Sequence, residues 1–182
     1  MEDLLLQEIN WGRLYGLLER ITPLTADCGD MCRKKCCSPR EEGLGIYLFP
    51  GEDKLFPGGE GWYRLSEYGS GAGYYTGPGG LLLNCTGKCP RSRRPLACRL
   101  FPLAPHMNGD GELEIILDRD AFFICPLVAD GNIEIMEPSF RETVHRVWEE
   151  LVKDFAVREA VLAYSARTDR QSADPWLRLF SK

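Results

Sequence analysis

Four thiols fall within ten residues in Cys28-x3-Cys32-x3-Cys36-Cys37, and four more follow at Cys85, Cys89, Cys98 and Cys125. Eight cysteines grouped in this way are not ordinary core filler. Thiolates brought together bind soft or borderline metals, chiefly zinc or the iron of iron–sulfur clusters. The rival use of cysteine is as a disulfide staple for a fold too small to stabilise itself. At 182 residues the chain can bury roughly 70% of its unfolded surface without cross-links. Its Met-Glu-Asp start and the short Leu4-Leu5-Leu6 run do not read as a signal peptide, and no segment approaches the ~20 apolar residues of a membrane span. The expected location is therefore the cytoplasm, where disulfides are disfavoured and grouped thiols favour metal.

Charge is distributed unevenly around these cysteines. Residues 28–40 carry Arg33, Lys34, Lys35 and Arg40 against Asp30, and residues 85–99 carry Lys88, Arg91, Arg93, Arg94 and Arg99 without an acid. The two segments total +8 in a chain whose net charge is −5. Cations placed there lower thiol pKa values and offset a tetrathiolate site. A basic surface for nucleic acid is the other reading. The acidic balance of the chain, and the lack of a C-x2-C pair followed by a recognition helix, argue against it.

Periodicity predicts a helix over residues 3–21, with Trp11, Leu14, Leu18 and Ile21 on one face and Thr22-Pro23 ending it. Ile46–Phe49 and Trp62–Leu65 read as short strands between Pro-Gly turns, and Leu81–Cys85 as a strand delivering the second cysteine group. Between them, Glu67-Tyr68-Gly69-Ser70-Gly71-Ala72-Gly73 matches the glycine turn of nucleotide and S-adenosylmethionine sites. That chemistry needs a helix after the turn, and Tyr74-Tyr75-Thr76-Gly77-Pro78-Gly79-Gly80 cannot start one. The Asn108-Gly109-Asp110-Gly111 turn precedes a strand at Leu113–Leu117, with another strand expected at Ala121–Cys125 and a Gly131-Asn132 turn beyond. A capping box of Ser139 and Glu142 is expected to start a helix whose apolar face runs Phe140, Val144, Val147, Trp148, Leu151, Phe155. A second helix is expected over residues 157–167 with Val161 and Tyr164 inward, and a short final piece carries Trp176, Leu179 and Phe180.

The i, i+4, i+8 spacing of Cys28, Cys32 and Cys36 would stack them on one helix face, but Gly29 and the intervening cations suggest a loop wrapped around metal. Adjacent Cys36 and Cys37 are expected to point in different directions, so either one is a spare or they serve neighbouring sites. His106 is a further candidate ligand, and His145 is expected to be solvated on the polar side of its helix. Arg94 and Arg99 flank Cys98, placed either to donate to cluster sulfurs or to pair with acids elsewhere.

The run ending in Cys36-Cys37, then Cys85-x3-Cys89, then Arg94-Pro95-Leu96-Ala97-Cys98-Arg99-Leu100-Phe101-Pro102, then Cys125-Pro126, resembles the YkgJ-like cysteine-cluster family. That family is described as zinc- or iron-chelating and carries a C-x2-C-x2-C-C motif with R-P-x-x-C-R-x-F-P downstream. The resemblance covers residues 28–126. It implies that Cys28, Cys32, Cys36, Cys37, Cys85, Cys89, Cys98 and Cys125 are the metal ligands. The first spacings here are x3 rather than x2, and Pro90-Arg91-Ser92-Arg93 stands where relatives have an aromatic segment. Some relatives carry the label flagellin lysine N-methylase, but no methyl-donor site is visible in this sequence.

The expected fold is α+β, a single domain over 1–182. A small irregular β-sheet with metal-bound cysteine loops (28–126) is packed by an N-terminal helix and by C-terminal helices over 138–167. The expected role is cytoplasmic metal binding, with zinc or iron as the cofactor, a 4Fe–4S cluster included. The alternative is an iron–sulfur redox or protein-lysine methylase-related enzyme, which needs an open coordination position or a substrate pocket. The third reading is an interaction module built on the basic cysteine face. The metal ion is the expected partner, a protein partner is left open, and neither membrane nor nucleic acid is expected. At least one metal site is expected to draw ligands from both cysteine segments.

Overall fold

The computed structural model describes residues 8–37, 45–67, 80–87 and 89–173. Its helices are α1 (Trp11–Leu17), α2 (Gly29–Cys32), α3 (Leu96–Leu100), α4 (Pro138–Leu151) and α5 (Phe155–Ala173). Its strands are β1 (Ile46–Tyr47), β2 (Tyr63–Glu67), β3 (Leu81–Cys85), β4 (Leu103–Met107) and β5 (Leu113–Leu117). The fold is α+β, with a three-stranded antiparallel sheet in the order β1-β3-β2 and a separate antiparallel pair β4-β5. No helix among the described residues is long and apolar enough to cross a membrane. The glycine-rich residues 68–79, the final piece with Trp176, and residues 3–7 lie outside the described residues.

The first helix is shorter than its periodicity suggests. Asn10 caps it, its Oδ1 accepting from the Arg13 amide at 3.0 Å, so the helix begins at Trp11. It ends at Leu17, four residues before Ile21, because Gly12 and Gly16 weaken the helix and a tight bond from Glu19 N–H to Gly16 O closes the last turn. Leu14 and Leu18 are buried as the pattern required. Asn10→Ala is expected to cost about 1 kcal/mol, read as a lower urea midpoint at unchanged slope.

Cross-strand pairing places β3 at the centre, with Leu83 opposite both Ile46 and Leu65. Alternation along β3 puts Leu83 and Cys85 on one face. There Leu83 joins Leu48, Phe56 and Tyr63 in a small core, with Cys85 packed against it. The strand β4 escaped the sequence reading because it contains Pro105. Proline is tolerated at the edge of a ribbon, where one row of amides needs no partner, and Pro105 pairs opposite Ile115.

The strand expected at Ala121–Cys125 is a 3-10 helix, Arg119–Phe123. Asp118 accepts from the Asp120 amide at 2.9 Å and starts that turn. The apolar run is not a buried face: Ala121 is buried but Phe123 is 91% exposed. After Gly131-Asn132 the chain again makes a 3-10 turn, Ile133–Ile135. The capping box does not form either. Glu137 is the N-cap of α4 and makes no side-chain bond, while Pro138 occupies the first turn, where a missing N–H costs nothing.

The larger core runs through Leu14, Leu96, Leu103, Phe140, Val144, Trp148, Leu151, Val157 and Val161. Phe155 is 62% exposed rather than on that face. The chain breaks after Leu151 and restarts α5, with Asp154 Oδ1 accepting from Val157 N–H at 3.0 Å. The restart resets the phase, so Val157, Ala160, Val161 and Tyr164 become the inward residues, and α5 continues to Ala173 beyond the expected 167.

Candidate metal centre

All eight cysteines are free thiols of intermediate burial. Cys28 is the N-cap of α2 and Cys32 its last residue. Arg33 and Lys34 then both take positive φ, 53° and 57°, which reverses the chain before a 3-10 turn, Lys35–Cys37. The first run is thus one helical turn, a reversal and a second turn. Neither the continuous helix nor a plain loop describes it.

The second segment reaches the same place from the sheet side. In α3, Leu96 and Leu100 stand one turn apart and are buried in the larger core. Cys98, two residues on from Leu96, therefore faces the other way. Cys36, Cys37, Cys85, Cys89 and Cys98 line one cavity of about 30 Å³, together with Arg94, Pro95, Gly45, Ile46 and Leu83. Gly45 allows this approach: a Cβ there would lie 2.9 Å from the Leu83 carbonyl oxygen. Thiols from both cysteine segments thus share one cavity.

Within it, Cys36 and Cys37 sulfurs are 4.0 Å apart. The two side chains do not diverge as expected for extended backbone, because the tight 3-10 turn holds them on one side. That distance is close to the ~3.8 Å edge of a tetrahedron built on 2.3 Å zinc–sulfur bonds. The hydrogen bond shared with the Cys36 thiol holds Cys37 down at about 6 against the opposing effect of burial, with the charges of Arg94 and Lys34 adding to the lowering. The same bond, with burial, drives Cys36 well above the ordinary thiol range. Burial also pushes up Cys98, and neighbouring Cys37, Cys89 and Cys85 push it further. Cys85 accepts from the Gly87 amide at 3.2 Å.

The two arginines of the second motif have separate jobs. Arg94 bonds Cys89 and lies near Cys37 and Cys98; burial works against its charge, but these thiolates outweigh it and raise its pKa. Its Nε is buried and finds no hydrogen-bond partner among the described residues. Such an orphaned donor marks a place where an acceptor belongs. Among the described residues, Arg99 makes no ion pair with an acid and no hydrogen bond to sulfur. It donates to the carbonyls of Arg94 (2.8 Å), Ser92 (2.8 Å) and Tyr15 (3.2 Å) and lies 4.4 Å over the Tyr15 ring. Arg99 therefore locks the motif's backbone to α1. Arg93 is spent on Glu60 at 2.6 Å.

The residue that sequence reasoning missed is Glu52. It is fully buried, and its carboxylate accepts from Tyr15 Oη (2.5 Å), Leu96 N–H (2.7 Å) and Phe49 N–H (2.9 Å). It thereby joins α1, the β1 loop and the first turn of the helix that carries Cys98. Nothing in its neighbourhood distinguishes it among 27 carboxylates.

The histidines do not belong to this centre. His106 Nε2 lies 2.9 Å from Asp169 Oδ1, across from α5. His145 is not simply solvated, since its Nε2 contacts the Leu113 carbonyl at 3.2 Å. A second cavity of about 130 Å³ adjoins the thiols through Cys36, Cys37, Arg94 and Cys98 and is otherwise lined by groups such as Phe49, Leu103 and Trp148.

The donor set, the cavity and the arginine fit a thiolate-bound metal. Among the described residues, however, no three Cys, His, Asp or Glu side chains already converge on a point where they could hold one ion. Chelation requires the thiols lining the cavity to close inward. No protein-family model, curated protein or solved structure matches this chain.

Proposed function

We propose that this chain is a metal-binding protein whose cysteine cluster chelates zinc or iron. The single observation that carries the reading is the cavity in which Cys37 of the first run meets Cys85, Cys89 and Cys98 of the second, with Arg94 beside them. Four thiolates on a divalent ion leave a net charge of −2, and the half-buried guanidinium of Arg94 offsets part of it. The resemblance to the YkgJ-like cysteine-cluster family points the same way.

The enzyme alternative gains one observation, the adjoining cavity. At about 130 Å³ it falls short of the roughly 300–1,000 Å³ of ordinary small-molecule pockets, so metal binding is the better supported reading.

Cys37→Ser and Cys98→Ser are each expected to lower bound zinc plus iron and to lower the melting temperature, because serine is a poor ligand for either metal. Elemental analysis and thermal unfolding of protein purified without chelator or oxidant test this. Wild-type metal content with an unchanged melting temperature in both variants refutes it.

A further inference from the structure

We propose that the larger cavity beside the thiols is a binding site for a small neutral arene, a molecule of the size of benzene or toluene. The site is separate from metal binding and does not rest on it.

The walls decide the class of ligand. Phe49, Leu100, Phe101, Leu103, Ile124 and Trp148 line a space of about 130 Å³, close to the roughly 150 Å³ of an engineered apolar cavity that takes up benzene. Its floor is closed to water, since Phe49, Leu100, Leu103 and Trp148 are all buried. The turn Arg119–Phe123 passes beside it without filling it. Ala121 packs into the larger core, while the bulkier Phe122 and Phe123 are exposed.

The shape of the lining favours a ring. Phe49 and Trp148 meet edge to face, with ring centroids 5.6 Å apart and planes at 72°, a corner against which a third ring packs favourably. The same lining carries Cys36, Cys37 and Cys98, and sulfur against a ring edge is also a favourable pair.

The charged groups on the lining are engaged elsewhere. Asp118 is buried and its Oδ1 accepts from the Asp120 amide at 2.9 Å, while Asp120 itself is exposed at the rim. Arg94 bonds Cys89. An anionic ligand would meet Asp118 and the thiols. An ammonium would give up its hydration for walls that are mostly apolar. A neutral ring bears neither cost.

Calorimetric titration of the full-length reduced protein with toluene tests the site, and intermolecular NOEs locate the ligand. Saturable one-to-one binding is expected with a dissociation constant of about 1 mM or below. NOEs are expected from the toluene methyl to Leu100, Leu103 and Trp148. Benzoate and benzylamine are expected to bind about tenfold more weakly or worse. Ala97→Leu, which puts a larger side chain on the lining, is expected to abolish toluene binding while its circular dichroism stays that of wild type. No saturable toluene binding, or NOEs confined to other residues, overturns the proposal. A folded Ala97→Leu chain that still binds toluene also overturns it. Benzylamine that binds more tightly than toluene overturns the neutral class and makes this an ammonium site. Should Ala97→Leu not fold, the wild-type titration and its NOEs decide alone. Failure here leaves the thiol centre standing, because metal content is measured independently.

Discussion

Stripped of metal under reducing conditions, the protein is expected to unfold about 10 °C below its zinc-loaded form. Binding to the folded state alone, at a free ion concentration 1,000 times the dissociation constant, stabilises by about 4 kcal/mol. For a chain of this size each kcal/mol moves the melting temperature by roughly 2–4 °C. The effect concentrates where local structure is least self-sufficient. The first cysteine run holds only a four-residue helix and a three-residue 3-10 turn, joined by two strained residues. The larger core, with Phe140, Val144, Trp148 and Val161, does not depend on the ion and should keep α4 and α5 helical after chelation. Differential scanning calorimetry with and without chelator reads the shift, and circular dichroism reads the retained helix. Coincident melting curves would sink the claim that the thiols bind metal in the folded state.

Glu52→Ala is expected to destabilise by about 3–5 kcal/mol, because it leaves two buried amides and the half-buried Tyr15 hydroxyl without an acceptor at roughly 1–3 kcal/mol each. That corresponds to a melting temperature lower by about 10 °C. The donors are Tyr15 Oη and the amides of Phe49 and Leu96, and Leu96 opens the helix that presents Cys98. The loss therefore reaches the proposed metal centre from beneath it. Burial pushes the Glu52 carboxyl above its ordinary value of 4.5, although Tyr15 and the two amides pull it down. With the folded value above the unfolded one, the folded state holds the proton more tightly. The contribution of Glu52 is full below pH 4.5 and declines as pH rises through the raised value. The gap in melting temperature between wild type and Glu52→Ala should thus be wider at pH 5 than at pH 8. An equal gap at both would remove the buried carboxyl as its cause, and a gap below about 2 °C would refute the bonding role.

Several elements were legible because their signals are local. Leu81–Cys85 is the strand its apolar run implied, and the Asn108–Gly111 turn does lead into the strand Leu113–Leu117. The buried face of α4 follows its 3.6-residue spacing from Phe140 to Leu151. Where local signals competed, the nearest hydrogen bond won. Asn10 and Asp118 capture amides two or three residues on and override, respectively, a longer helix and a strand. Pro138 at the helix start displaced the Ser139 cap in the same way.

The number, clustering and cationic setting of the cysteines are written in the chain, and they suffice to raise metal as the question. Which thiols meet is not written there. Spacing relates Cys28 to Cys32, but only the path of the backbone brings Cys37 to Cys98, or Cys125 to Cys28. That path depends on the reversal at Arg33–Lys34, on Gly45 yielding room to β3, and on a buried carboxylate at Glu52. The last two are contacts between residues tens of positions apart. Their energy arises only once the larger core has closed around them, so no window of sequence contains it.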